Sequence, residues 1–233
     1  MPAPLVEVLA QARDLGFLGD GPLSTHVSHG LELAECVERN LSPTPDSPAS
    51  APVGPGHFLD LGTGGGIPGL VLAALWPGSR AVLLDASQRR TDTLSQAIEV
   101  LGWADRVRVV RARAETAGRQ EEFRGSFDAV VARSFGPPPM TAECGAAFLR
   151  PDGILVVSEP PSPGHHGQPG PVDSDKERWP PEGVGIVSLT PASAWRGEFG
   201  FQVLRRTGPL EDTYPRRNGV PAKRPIYRVP RET

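Results

Sequence analysis

The sequence contains few cysteines and no long apolar run. Cys36 and Cys144 are its two cysteines, and neither belongs to a metal-ligand motif. We therefore expect reduced, buried thiols in a cytoplasmic protein, and not a disulfide scaffold. No stretch is long and apolar enough to span a membrane, and the first residues lack the basic start and apolar core of a signal peptide. The 233 residues, 38% of them hydrophobic, suit one sizeable domain with appended segments.

The sequence also has little net charge, and this charge is unevenly distributed. A formal net charge of −3 at pH 7 does not indicate a nucleic-acid-binding protein. From Arg205 onward, however, basic residues outnumber acidic ones, and we predict a basic C-terminal tail at 207–233. Such a tail is a local electrostatic footprint for a polyanion. A solvated tail without fixed structure is the alternative.

The most informative segment is Phe58-Leu-Asp-Leu-Gly-Thr-Gly-Gly-Gly-Ile-Pro-Gly69. A short apolar run containing Asp60 leads into the glycines, and Pro68 then suits the first turn of a helix. A glycine such as Gly62 lets the main chain pass close to a ligand, because it has no Cβ. This strand, glycine turn and helix predict the nucleotide-binding edge of a doubly wound α/β domain.

A carboxylate follows the glycine loop at the expected spacing. The apolar run Arg80-Ala-Val-Leu-Leu-Asp85 ends about 20 residues beyond the loop. At the tip of the neighbouring strand, Asp85 would accept hydrogen bonds from two ribose hydroxyls. The alternative is that Asp85 caps the helix that begins near Ser87.

The remaining pattern predicts the fold class. Strands alternate with helices, which implies right-handed crossovers and a parallel sheet buried on both faces. Two further apolar runs, 184–189 and 198–205, have no helix between them and predict an antiparallel hairpin. We therefore predict an α/β fold: a doubly wound, seven-stranded, mostly parallel sheet with an antiparallel last strand, as in the Rossmann-like class I methyltransferases. The first five strands are placed near 57–61, 80–85, 106–111, 127–132 and 153–158, and the helices between them at 68–76, 88–101, 114–120 and 139–149.

Composition divides the chain into four segments. Residues 1–41 form an N-terminal helical segment, and 42–56 form a linker rich in Pro, Ser and Ala. The cofactor-binding domain covers 57–206 and includes an irregular loop at 159–183, and the tail follows at 207–233. Adjacent His165 and His166 lie in that loop without partner ligands, so we expect no metal site.

Several segments resemble, in the same order, the bacterial 16S ribosomal RNA guanine-N7 methyltransferases of the RsmG, or GidB, family. The glycine loop and Tyr214-Pro-Arg-Arg-Asn-Gly-Val-Pro-Ala-Lys-Arg-Pro225 resemble its cofactor loop and its basic C-terminal signature. Two regions depart from the family. Residues 25–32 are a loose counterpart of its N-terminal motif, and Glu159-Pro160 stands where the family has Lys-Gly. The intervening segments that match are 84–90, 112–115, 127–134 and 149–155.

The resemblance implies S-adenosylmethionine as the cofactor. The main chain at Gly62 would lie against its methionine part, with Ile67 nearby, while Ala114 and Glu115 would flank the adenine. Arg133, at the carboxyl edge of the sheet, would engage the cofactor carboxylate or a target phosphate. Four of these residues have a plainer alternative role. Gly62 can be required for loop conformation alone, and Ile67 can be an ordinary core residue. Glu115 can be a solvated charge, and Arg133 can form a surface ion pair.

The resemblance also implies an RNA acceptor, either 16S ribosomal RNA or the small ribosomal subunit. Guanine N7 has a free lone pair, so methyl transfer needs no general base and we name no catalytic residue. We expect a monomer that uses neither a metal nor a membrane. The phosphate contacts would be Arg216, Arg217, Lys223 and Arg224.

Three other functions remain open at this point. The chain can methylate another acceptor, or it can be a cofactor-binding relative that has lost turnover. It can also be an NAD-dependent oxidoreductase, because Gly64-x-Gly-x-x-Gly69 and Asp85 fit that fingerprint too. The short remaining chain, which leaves no room for a substrate domain, argues against the third.

Overall fold

The computed structural model describes residues 1–41, 54–160 and 178–229, which contain one seven-stranded sheet. The strands are β1 (His57–Leu61), β2 (Arg80–Asp85), β3 (Val107–Arg111), β4 (Phe127–Ala132), β5 (Leu149–Glu159), β6 (Leu189–Arg196) and β7 (Gly200–Arg206). Their order in the sheet is β3-β2-β1-β4-β5-β7-β6. Strands β1 to β5 are parallel, and β7 is antiparallel to both β5 and β6. The predicted fold class is confirmed.

Helices cover both faces of this sheet. They are α1 (Ala3–Asp14), α2 (Leu23–Asn40), α3 (Gly69–Leu75), α4 (Gln88–Leu101), α5 (Ala114–Ala117), α6 (Pro138–Phe148), α7 (Pro181–Gly185) and α8 (Val220–Lys223). Neighbouring residues of β4 point to opposite faces: Val131 joins the core under α1 to α4, and Val130 joins the core under α5 to α7. The N-terminal helices are part of the first core, in which Leu5, Leu9 and Leu33 are fully buried.

The predicted strand at 184–189 is wrong. Helix α7 and a turn occupy this stretch, and β6 begins only at Leu189. Val184 and Val187 are both buried, three residues apart, which is the spacing of one helical face and not of a strand. The preceding prolines, Pro180 and Pro181, also suit the start of a helix. Residues 42–53 of the predicted linker lie outside the described residues.

Residues 207–229, which we call the C-terminal segment, pack against α5 and α6. Arg216 is bound to the fully buried Glu143: its Nε and Nη2 lie 2.9 and 2.6 Å from the two carboxylate oxygens, and its main-chain N–H donates to the same side chain at 2.8 Å. Arg124 donates to the carbonyl oxygen of Tyr214 at 2.6 Å. The alternative of a tail without fixed structure is therefore wrong for this segment.

We expect Arg216→Met to destabilise the protein by about 3–5 kcal/mol, because it leaves the Glu143 carboxylate buried without its cation. Urea unfolding measures this change. Arg217→Met is the matched control, since Arg217 is the adjacent exposed residue and surface changes stay within about 0.5 kcal/mol. Equal stability of the two variants would contradict the role given to this pair.

Candidate functional site

The glycine loop, residues 62–68, lies across the carboxyl edge of β1 and β2. Main-chain N–H groups of Gly62 and Thr63 donate to the carbonyl oxygen of Leu84 at 2.9 and 3.0 Å. Gly62, Gly64 and Gly66 have φ values of 75°, 58° and 96°, in the region that favours glycine. A Cβ on Gly62 would also lie 2.7 Å from the ring of Phe135. The loop therefore requires glycine for both conformation and space.

Asp85 holds this loop and the start of α4 at the same time. Its Oδ2 accepts from the Gly64 N–H at 3.0 Å, and its Oδ1 accepts from the Ser87 N–H at 2.8 Å. Asp85 thus orients Ser87, the residue before α4, but it does not cap the helix, which has no side-chain cap. Arg90 Nη1 also lies 3.6 Å from Oδ2, an ion-pair distance but too long for a hydrogen bond. Each carboxylate oxygen has two lone pairs, so each can still accept from a ribose hydroxyl. The ribose contact stays a prediction.

Asp60 holds the other end of the loop. Its Oδ2 accepts from the Gly69 N–H at 2.8 Å. Its buried Oδ1 and the buried Oγ1 of Thr63, whose side chain interacts with this carboxylate, make no hydrogen bond of good geometry among the described residues. Burial raises the pKa of this carboxyl group to about 6. A buried carboxylate oxygen without a good hydrogen bond is costly. A positively charged donor on a ligand bound at the glycine loop would satisfy the Oδ1 of Asp60.

Arg133 joins this site to helix α2. Its Nη2 lies 2.7 Å from Nδ1 of His26, which is 3% exposed. Because the guanidinium is always a donor, Nδ1 of His26 accepts, and its Nε2–H donates to the Gly19 carbonyl oxygen at 2.9 Å. The plainer alternative for Arg133 was a surface ion pair with a carboxylate. Among the described residues, its guanidinium instead forms this contact with the imidazole of His26.

A second histidine of α2, His29, lies beside the first. Its Nε2 is 2.9 Å from Oγ of Ser158 at the end of β5, and burial lowers its pKa to about 3, with Arg133 and His26 contributing. His29 is therefore neutral. The sequence reasoning assigned neither histidine to the site. A usable signal was present, since the two lie three residues apart on a helix, on the face that packs against the sheet.

The loop between α1 and α2 covers one side of the glycine loop. A Cβ on Gly65 would lie 2.7 Å from the side chain of Leu18 and 3.0 Å from the carbonyl oxygen of Phe17. Arg89, in the first turn of α4, stacks on the Phe17 ring, with its Cζ 5.0 Å from the ring centroid. The N-terminal segment thus forms a wall of the candidate site.

The predicted adenine loop is joined to the C-terminal segment. The buried Glu115 side chain accepts from the Gly219 N–H at 2.9 Å, and Thr116 Oγ1 donates to Oδ1 of Asn218 at 3.0 Å. The alternative of a solvated Glu115 is therefore wrong. Its side chain is buried and connects the predicted adenine loop to the C-terminal segment. Ala114 is also buried. An adenine contact would therefore use the main chain of this pair.

The other predicted residues differ in accessibility. Ile67 is 5% exposed and belongs to the core under α1 to α4, in agreement with its plainer alternative. Arg216 is engaged by Glu143, so its guanidinium serves the packing of the C-terminal segment. Arg217, Lys223 and Arg224 have exposed side chains.

Glu159 stands where the family that this sequence resembles has a lysine, and it has two structural partners. Its two carboxylate oxygens accept from Arg178 Nε and Trp179 Nε1, both at 2.7 Å. Trp179 is 1% exposed. Glu159 therefore joins the end of β5 to the residues just before α7. In the described part of the chain, no helix is long and apolar enough to cross a membrane, and no three metal-ligating side chains cluster. His165 and His166 lie outside those residues.

Comparison with known proteins gives the family. Residues 45–159 match the GidB family, described as rRNA small subunit methyltransferase G. The ribosomal RNA small subunit methyltransferase G of Prochlorococcus marinus (strain MIT 9313) is 35% identical over 173 residues, which cover 74% of this chain and 68% of that protein. The chain belongs to the GidB family. Family membership is the prediction made from the glycine loop and the C-terminal signature, and it is confirmed.

Other GidB-family relatives align over a similar length. The ribosomal RNA small subunit methyltransferase G of Parasynechococcus marenigrum (strain WH8102) is 34% identical over 174 residues, covering 72% of this chain and 66% of that protein. The Rubrobacter xylanophilus relative of the same description is also 34% identical, and the alignment covers 73% of this chain and 65% of that protein. The aligned part of the chain thus spans slightly less than two thirds of these two relatives.

Solved structures with low sequence identity share the fold. The O-methyltransferase from Bacillus cereus in complex with SAH has a TM-score of 0.57 at 18% identity, covering 89% of this chain and 92% of that chain. The O-methyltransferase TomG from Streptomyces achromogenes in complex with SAM has a TM-score of 0.58 at 18% identity, covering 89% and 91%. Both proteins are similar to this chain in fold.

We expect Gly62→Ala to weaken binding of S-adenosylmethionine at least tenfold, because the added Cβ displaces Phe135 and fills the space beside the loop. Isothermal titration measures the affinity. Gly102→Ala is the matched control: it shares a positive φ of 66°, but a Cβ there meets nothing within 4 Å. Both variants carry a similar backbone strain of about 1–2 kcal/mol. Equal affinity in both would remove Gly62 from the site.

We expect His26→Phe to weaken S-adenosylmethionine binding about tenfold, since Arg133 loses the acceptor that orients it. A hydrogen bond to a charged group contributes about 1.5–3 kcal/mol. His26→Asn keeps an acceptor near the position of Nδ1 and should retain most of the affinity. The same titration, with thermal unfolding as a check of folding, compares the three proteins. Wild-type affinity in a folded His26→Phe protein would contradict this role.

Proposed function

We propose that the chain transfers a methyl group from S-adenosylmethionine to N7 of a guanine in 16S ribosomal RNA. One observation carries the proposal: a chain of the GidB family has the glycine loop fixed by Asp60 and Asp85, with acceptor positions left free on both carboxylates. Relatives named ribosomal RNA small subunit methyltransferase G support the acceptor class.

The residues around the loop fit the parts of this cofactor. The free acceptor positions of Asp85 suit the ribose hydroxyls, and the main chain of Ala114 and Glu115 suits the adenine. The Oδ1 of Asp60, which makes no hydrogen bond of good geometry, suits the ammonium group. Arg133 uses one N–H on His26, and its other donors can bind the carboxylate. Asp60 and Arg133 thus place opposite charges near the ammonium and the carboxylate, which share the α-carbon of the methionine part.

The chemistry requires positioning more than proton transfer. S-adenosylmethionine supplies an electrophilic methyl group on a sulfonium when it is bound. Guanine N7 has a free lone pair, so no side chain of the protein needs to remove a proton. The glycine loop and Arg133 fix the direction of the methyl group, and the alignment of nucleophile and methyl provides the acceleration. We accordingly assign no general base.

The C-terminal segment supplies the contacts to RNA. Arg217, Lys223 and Arg224 are exposed on it, and their charges suit phosphates. Arg216 is left out because Glu143 uses its guanidinium. The partner is 16S ribosomal RNA or the small subunit that contains it, and the protein acts as a cytoplasmic monomer. The nicotinamide alternative loses its support, because the family and the antiparallel β7 both match methyltransferases.

The direct test is transfer of labelled methyl from S-adenosylmethionine to small ribosomal subunits, and to their free 16S RNA, from cells that lack this gene. We expect label at N7 of one guanine, and mapping of the modified base measures it. No transfer to either substrate by protein that binds the cofactor would contradict the proposal and favour another acceptor.

The triple variant Arg217→Ala, Lys223→Ala and Arg224→Ala should raise the KM for RNA while leaving cofactor affinity unchanged. The slope of log affinity against log salt should fall by about 0.7–0.9 for each phosphate that is left without its cation. A control triple of Arg39, Arg80 and Arg108 to alanine removes the same charge from exposed positions that do not contact the C-terminal segment. The same reduction of RNA affinity in both triples would show a general charge effect and not a site.

A further inference from the structure

A cleft of about 800 Å³ lies between the start of α6 and the C-terminal segment. Pro137 and Met140 form one wall, Pro221 and Ala222 form the other, and Tyr227 and Arg228 lie along the same cleft. Clefts that hold small ligands commonly enclose about 300–1,000 Å³. None of the predicted cofactor contacts involves these residues.

Both walls of the cleft continue directly from the candidate cofactor site. On one side, Phe135 packs against Gly62, and Pro137 follows it by two residues. On the other side, the Gly219 N–H is bound by Glu115 of the predicted adenine loop, and Pro221 follows by two residues. The cleft therefore opens next to the edge of the sheet at which the glycine loop lies.

The chemistry of the cleft combines apolar surface with positive charge. Its lining is mostly proline, alanine, methionine, valine and tyrosine, and no acidic residue takes part. Lys223 and Arg224 are exposed on the adjoining turn, and Arg228 is exposed in the cleft itself. Within the described ranges none of these three cations forms an ion pair. Apolar and aromatic faces receive nucleobases, and neighbouring cations receive phosphates.

The aromatic wall is held in place by its surroundings. Tyr227 packs on Gly183 of α7, where a Cβ would lie 2.6 Å from its ring, and its hydroxyl donates to the Arg178 carbonyl oxygen at 3.3 Å. Burial raises the pKa of this hydroxyl, so the tyrosine stays neutral. A fixed, neutral ring is a suitable stacking surface that loses little conformational entropy on binding.

We propose that this cleft binds an unpaired nucleotide of the RNA acceptor, with its base between the proline-rich walls and Tyr227 and its phosphates at Lys223, Arg224 and Arg228. The inference rests on the proposed function, because that function supplies the RNA. The cleft chemistry favours a nucleotide over an acidic peptide, since a peptide carboxylate would use the cations but leave the apolar walls unfilled.

The test fills the cleft without changing its charge. Ala222 is exposed and lies on the one-turn helix α8, so Ala222→Trp should fold and occupy the space of the base. Ala222→Ser is the matched control. Binding to protein-free 16S ribosomal RNA is measured by filter retention at several salt concentrations, and binding to S-adenosylhomocysteine by titration.

We expect Ala222→Trp to weaken RNA binding about tenfold, which corresponds to the loss of one stacked base. The salt dependence and the S-adenosylhomocysteine affinity should match those of wild type and of Ala222→Ser. Arg228→Ala should instead reduce the salt dependence. Wild-type RNA affinity in a folded Ala222→Trp protein, or a parallel loss of S-adenosylhomocysteine binding, would overturn the inference.

The two proposals fail separately in this design. Methyl transfer by wild type, together with unchanged RNA binding by Ala222→Trp, overturns the cleft and leaves the proposed function intact. RNA binding that depends on the cleft, in a wild-type protein that transfers no methyl group, supports the cleft and contradicts the function. A wild-type protein that binds neither protein-free 16S RNA nor the small ribosomal subunit overturns both.

Discussion

Two buried carboxylates fix the loop on which the candidate site depends. Asp60 and Asp85 lie at the ends of neighbouring parallel strands, and each accepts a hydrogen bond from a main-chain N–H in or beside the glycine loop. The loop has positive φ values that only glycine adopts readily, so it has few side chains with which to hold itself. The strand ends supply that support, and they leave acceptor positions directed to the same edge. Loop conformation and ligand chemistry thus depend on the same two side chains.

The two terminal segments complete the site from opposite sides. Helix α2 brings His26 to Arg133, and the preceding loop covers Gly65. The C-terminal segment is held by Glu115 and Glu143 through the Gly219 N–H and through Arg216. Because the predicted adenine loop and the exposed cations share these attachments, the cofactor site and the candidate RNA surface form one connected structure. The N-terminal departure from the family pattern, residues 25–32, therefore lies in a wall of the site, and the glycine loop itself is retained.

The sequence predicted those parts of the protein whose signals are local. The glycine loop, Asp85 and the alternation of strands and helices are each set by spacing over a few residues, and the structure has them. The contact of Arg216 with Glu143 was not predicted, because the two residues are 73 positions apart and composition alone indicated a surface charge. His26 was missed because its partner lies 107 residues away. The strand predicted at 184–189 failed because a short apolar run fits either period, and prolines before it started a helix.

The most direct measurement is a crystal structure of the protein with S-adenosylhomocysteine. We expect ribose hydroxyls within hydrogen-bond distance of the Asp85 carboxylate, the adenine beside the main chain of Ala114, and the ligand carboxylate on Arg133 with the His26 contact retained. A ligand bound away from the glycine loop, or bound there without contact to Asp85, would contradict the central claim that the strand-end carboxylates organise the site.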